Sequence, residues 1–245
     1  LGLEIALTPG VIQEWFSEQS GERDRARWIP PLSVVSLLAC WAMKERAAAG
    51  AGRGAILWIG RACWPYPPAL VVRGDGDQED LLRRSIFIEA PGSTGGREGV
   101  EGMRIERVWA IDLAVRSSAV TCVVADGRDL GMAELRRLQL AAASGGALAL
   151  LLRPVQEASR LSVAPLRWLV RAAGDDRAPK FQSPDASACS RWTVQLLRCK
   201  GMQPFSEDAR CWTVQRDHAT GDVRVVSDVS DRSSPAAHRR PARGI

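Results

Sequence analysis

The stretch from residue 11 to residue 39, "VIQEWFSEQSGERDRARWIPPLSVVSLLA", runs from a short apolar segment through a polar loop into a helix-forming segment. Nucleotide-binding folds hold their phosphate loop at such a junction. A working loop needs G-x-x-x-x-G-K-[ST]. Its glycines let backbone N–H groups face the phosphates, its lysine reaches the outer phosphates, and its hydroxyl holds Mg²⁺. Here the loop has one glycine, Gly21, and no lysine precedes Lys44. Arg23, Arg25 and Arg27 are basic but sit among Glu22 and Asp24, and Ser33 is the hydroxyl nearest the helix start. The position is right and the phosphate-binding groups are missing. We expect a degenerate loop, with Trp28, Pro30 and Pro31 packed over the vacated space.

Asp126 ends the apolar run "VTCVVAD", the place of an acid that helps position Mg²⁺. The plainer reading is that Asp126-Gly127 is a strand-terminating turn. Without a loop lysine, that turn is the preferred reading, and Asp126 stays the candidate nucleotide-site residue. Nucleophilic catalysis has no support: there is no G-x-S-x-G, and the histidines, His218 and His238, lie in or near the C-terminal tail. The carboxylate pairs Glu79-Asp80 and Asp175-Asp176 fall in polar loops and read as solvated surface. Cysteines stand at 40, 63, 122, 189, 199 and 211 without a C-x-x-C pair. Several lie in apolar runs, which predicts buried thiols in a reducing cytosol rather than a zinc site.

A second constellation lies further on. Arg153, Arg191, Arg198 and Lys200 alternate with Trp168, Trp192 and Trp212 on strand-like segments. Basic groups bind phosphates and tryptophan stacks on bases, so these four cations are candidate contacts to nucleic acid or to a partner. The competing reading puts the tryptophans in the core and the arginines at strand edges, because alternation buries one face of a strand. The charge distribution fits either reading. Residues 1–150 hold 17 Lys and Arg against 18 Asp and Glu, whereas residues 151–245 hold 16 against 10. A basic C-terminal third suits nucleic acid or an acidic partner.

These groups need elements to position them. The apolar run 11–16 reads as a strand, and Pro30-Pro31 open a helix to about Ala49. Short strands follow at 54–60 and 85–90, with turns at 64–70 and 91–99. In "RIERVWAIDLAVRSS" the residues Ile105, Val108, Ile111 and Val115 form a helical stripe, widened by Trp109 and Leu113. Then come a strand over 119–126, a helix over 131–144 and a strand over 147–154. Strands apolar on both faces and alternating with helices predict a largely parallel, right-handed α/β sheet covered on both sides. After Pro154 four strand-like segments follow without helices, two of them carrying the tetrapeptide "WTVQ" at 192–195 and 212–215. We expect a β-meander extending the sheet. Residues 1–10 form an extension, 11–228 a single core (11–154 the α/β part, 155–228 the β-rich part), and 229–245 a polar, basic tail of disordered composition.

The segment "RVWAIDLAVRSSAVTCVVADGRDLGMAELRRLQLAAASGGALALLLRP" resembles a RecA-like core. More narrowly, it is similar to the ImuA-type branch, the RecA-related accessory proteins of mutagenic translesion synthesis. The matching residues are Leu113–Ser117, Ala119–Asp126, Arg136–Ala142 and Leu148–Pro154, and "RWTVQLLRCKG" resembles a downstream strand of that branch. This resemblance implies a RecA-like α/β fold, a mostly parallel central sheet flanked by helices and extended by C-terminal antiparallel strands. It implies a non-catalytic accessory role in SOS or translesion repair, with a polymerase-like or RecA-like protein as partner and DNA as a further contact. No cofactor is expected. The alternatives are a divergent ATPase, holding ATP and Mg²⁺ through Asp126 and Arg23, Arg25 or Arg27, and a cell-division-inhibitor-like regulator. No apolar run reaches the roughly 18 residues of a membrane span, and the N-terminal stretch lacks the basic and long apolar regions of a secretory signal, so a cytoplasmic location is expected.

Overall fold

The computed structural model describes residues 3–17, 28–66, 81–89, 97–172, 189–201, 210–217 and 223–228. Nine strands form one sheet: β1 (Ile12–Ser17), β2 (Ala55–Ile59), β3 (Ser85–Ile88), β4 (Val120–Asp126), β5 (Leu148–Pro154), β6 (Leu166–Ala172), β7 (Cys189–Cys199), β8 (Cys211–Asp217) and β9 (Val223–Asp228). Their order across the sheet is β3-β2-β4-β5-β1-β6-β7-β8-β9. Pairings from β3 through β6 are all parallel, and those from β6 through β9 are antiparallel. Three helices accompany them: α1 (Leu32–Ala48), α2 (Arg97–Arg116) and α3 (Met132–Gly145). The helix α2 takes in the end of the turn expected over 91–99.

The parallel half follows from its sequence. β1, β4 and β5 are buried on both faces because helices cover both; the runs of β4 and β5 are largely apolar, whereas β1 buries Gln13 and Glu14. On one face α1 and the first turn of the chain pack over Trp15, Trp58, Val124 and Leu150. On the other, α2 and α3 pack over Ile59, Val123, Ala125 and Leu151. Pro31 opens α1 by accepting from the N–H groups of Val34 and Val35. Arg46 pins the far end of α1 by donating to the carbonyls of Ser118 (2.6 Å) and Val120 (3.2 Å). Gly131 precedes α3 and donates to Glu134 at 2.7 Å, a first-turn acid that also suits the helix dipole.

One helix corrects the sequence reading. Val108, Ile111 and Val115 are buried as expected, but Ile105, Trp109 and Leu113 point to solvent, Trp109 with 59% of its surface exposed. Both arcs of α2 are apolar, so periodicity alone did not separate them. The arc that packs also carries Arg104, Arg107 and Asp112, whose ion pairs to α3 and β4 orient the helix.

The meander is built around the repeated tetrapeptide. In the antiparallel β7–β8 pair, Thr193 lies opposite Thr213, Trp192 opposite Val214 and Val194 opposite Trp212. The two copies therefore pair with each other about a local two-fold. Trp168, Val194, Trp212 and Val214 all join the α1-side core, and Trp168 stacks on Trp15 with ring centroids 5.1 Å apart. Residues 18–27, the basic tail and both histidines lie outside the described residues.

Candidate functional site

β1 delivers the chain to Ser17 at the carboxyl end of the parallel sheet, and the described chain resumes at Trp28. These two ends are tied. The Trp28 Nε1 donates to Ser17 Oγ at 3.1 Å, and Ser17 Oγ donates to the Ile29 carbonyl at 2.7 Å. Trp28 packs against the α1-side core, and Pro30 is buried. The junction identified from sequence is thus closed at its base by Trp28. Arg23, Arg25 and Arg27 lie outside the described residues.

Asp126 ends β4 two strands away, with β5 between, and is 3% exposed. Two arginines occupy its carboxylate. Arg107 of α2 reaches Oδ2 at 3.1 Å and also donates to the Arg128 carbonyl at 2.7 Å. Arg128 forks onto both oxygens, Nε to Oδ1 at 3.0 Å and Nη2 to Oδ2 at 2.6 Å, while its backbone N–H donates to Oδ1 at 3.0 Å. That fork keeps the Arg128 guanidinium firmly protonated. Its outer face lies over the Trp28 ring, 5.1 Å from the centroid. The chain is glycine at residue 60 for a reason: φ is +91°, and an added Cβ would lie 2.9 Å from the Asp126 Cβ. Cys63 is buried beside this cluster, and burial, then the Asp126 charge, raise its thiol well above the usual range.

A divalent cation needs oxygen ligands with room for several of them. Asp126 instead meets two guanidinium groups, and the cluster carries a net charge of +1. The described part of this site is arranged for arginine rather than for Mg²⁺.

Next to the clamp lies a buried charge network that the sequence reading missed. Glu14 of β1 is fully buried (0% exposed). It accepts from Arg153 Nη1 and, at 2.6 Å, from Arg167 Nε. Arg153 also donates to Glu157 at 2.6 Å and to the Leu130 carbonyl at 3.3 Å. Arg167 lies over the Phe16 ring at 5.0 Å. Two arginines and two glutamates cancel, as buried charges must. A signal existed: Glu14 and Arg153 each place a charge in a strand with a buried neighbourhood, and opposite charges in such places must find each other.

Arg153 is therefore not a nucleic-acid contact. It is 1% exposed, and its guanidinium is committed to Glu14 and Glu157. Arg191, Arg198 and Lys200 are exposed. The tryptophans expected to interleave with them turn the other way: Trp168 and Trp212 are buried in the α1-side core and Trp192 packs against it. Burial takes the Trp168 and Trp212 rings out of base stacking. The cysteine expectation holds in part. Cys63 and Cys122 are buried, and Cys40, Cys199 and Cys211 are partly exposed.

A parallel core ordered β3-β2-β4-β5-β1, with an acid closing β4 and antiparallel strands extending the far side, is a RecA-like fold. A solved structure of the RadB recombinase superposes with a TM-score of 0.53 over 90% of this chain and 92% of that one, at 9% sequence identity. At that identity the likeness is one of fold. No family model matches the chain, and neither does any curated protein. Among the described residues, no helix is long and apolar enough to cross a membrane.

Proposed function

We propose that this chain is a non-catalytic RecA-like accessory protein that works as an assembly surface in DNA damage tolerance. The observation that carries the non-catalytic reading is the Asp126 clamp. The acid at the end of β4 spends both oxygens on Arg107 and Arg128, and Trp28 stacks on Arg128 where the chain returns from the loop. A fold retains its shape after the groups that handle nucleotide are gone, since function follows the site. The narrower assignment, an ImuA-type partner of a polymerase-like or RecA-like protein in the cytoplasm, rests on the similarity of residues 113–154 and 191–201 to that branch.

The test is calorimetry with ATP and Mg²⁺ on the intact chain and on Asp126→Ala. The proposal expects no heat of binding at millimolar ATP from either protein. Micromolar binding lost in Asp126→Ala would overturn it and favour a divergent ATPase that opens the clamp on binding.

A further inference from the structure

The face of β6–β8 opposite the tryptophans is polar and basic. Alternation along β7 puts Arg191, Thr193 and Gln195 on that face, and register sets Arg171 of β6 opposite Thr193 and Gln215 of β8 opposite Arg191. A register shift at Arg167/Trp168 then brings Arg198 opposite Arg167, so Arg198 joins the same face.

The arginines of this face are oriented by neutral acceptors, as Arg46 is by the carbonyls of Ser118 and Val120. Arg171 donates to Gln195 Oε1 at 2.8 Å, Arg191 to Gln215 Oε1 at 3.0 Å, and Arg198 to the Ser162 carbonyl at 2.8 Å. A neutral amide orients Arg191 and a backbone carbonyl orients Arg198, and neither acceptor cancels the guanidinium charge. Among the described residues, Arg191, Arg198 and Lys200 meet no carboxylate, and all three are exposed. The acidic positions of β6–β9 are Asp217 and Asp228, each the last residue of its strand.

We infer that this sheet face binds the phosphate backbone of duplex DNA. From Arg191 to Arg198 the row runs seven residues along β7, about 24 Å at the strand rise, which spans about seven base pairs. The face offers fixed cations and hydrogen-bond donors, the chemistry of backbone contact. Among the described residues it offers no aromatic ring, because the tryptophans of these strands lie on the other side. Single strands gain affinity from stacking on such rings. Without that gain the binding is electrostatic and favours the denser charge of the duplex. Binding of this kind is indifferent to sequence and independent of nucleotide, so it stands or falls apart from the clamp at Asp126.

The experiment is fluorescence anisotropy with a labelled 20-base-pair duplex across a salt series, without ATP. Three neutralised phosphates give a log–log salt slope of about −2.7. The variant carrying Arg191→Gln, Arg198→Gln and Lys200→Gln should lose most of the affinity and nearly all of that slope. Arg116→Gln, another exposed arginine but one ion-paired to Asp112, should leave both unchanged and so controls for removal of a surface arginine elsewhere. Circular dichroism of each variant confirms folding. A flat salt response, a triple variant that binds like the parent, or tighter binding to single-stranded oligo-dT would each overturn the inference. Binding to poly-glutamate but not to the duplex would overturn it in favour of an acidic protein partner.

Discussion

The two halves of this sheet treat arginine in opposite ways. In the parallel half, Arg104, Arg107, Arg116, Arg128, Arg137 and Arg153 each meet a carboxylate, and Arg153 is buried doing so. In the meander, Arg191 and Arg198 are oriented by an amide and a carbonyl and keep their charge facing outward. Internal pairing neutralises these six arginines, including the two that hold Asp126 at the end of β4. External display makes the second half a surface for something negatively charged. Residues 1–150 are near charge balance, and the six-cation excess beyond them is shared equally between residues 151–228 and the tail 229–245.

The comparison predicts a graded set of mutational effects. Glu14→Gln should be among the most damaging, about 3–5 kcal/mol, because it leaves Arg153 and Arg167 buried without their shared partner. Trp168→Ala should cost a similar amount, about 3–5 kcal/mol, through the cavity left against Trp15 and Trp212. Urea unfolding measures both, and a loss below 1 kcal/mol for Glu14→Gln would dissolve the distinction between the halves. Gly60→Ala should follow, at about 1–3 kcal/mol, since it places a side chain at positive φ against Asp126. Arg191→Gln should stay within about 0.5 kcal/mol, as an exposed substitution outside any charge pair, while lowering the DNA salt slope by about 0.9.

Acid offers a milder probe of the parallel half. Burial raises the Asp112 carboxyl, but the guanidinium groups of Arg137 and Arg116 more than reverse this and hold it below the usual range. A lowered folded-state value means the stability from these pairs is fully present above the ordinary carboxylate range and is lost as pH falls through the lowered value. Asp112→Asn should therefore flatten the acid limb of a stability–pH profile, and an unchanged limb would show that the pairs contribute nothing.

Much of this was legible before any coordinates. Continuous apolar runs flanked by glycine and proline gave the parallel strands, and the doubled "WTVQ" marked the meander, whose copies prove to pair with each other. The absence of a G-x-x-x-x-G-K-[ST] pattern in residues 18–27 is read from residue types, and that segment lies outside the described residues. The Trp28–Arg128–Asp126 contact could not be read, because it joins residues about a hundred positions apart. Arg153 misled for a related reason: a cation at a strand end looks the same in sequence whether its partner is solvent or a glutamate on a neighbouring strand. On α2 the apolar residues fill two arcs, and the choice between them belongs to the ion pairs of Arg107 and Asp112, which periodicity does not register.

The measurement that tests the division most directly is arginine footprinting: brief treatment of the native chain with phenylglyoxal, read by mass spectrometry residue by residue. The account predicts rapid modification of Arg191 and Arg198, with Arg107 and Arg153 protected until the chain unfolds. Modification of Arg153 or Arg107 as fast as Arg191 would contradict it, because the parallel half would then be holding its cations no more tightly than the meander does.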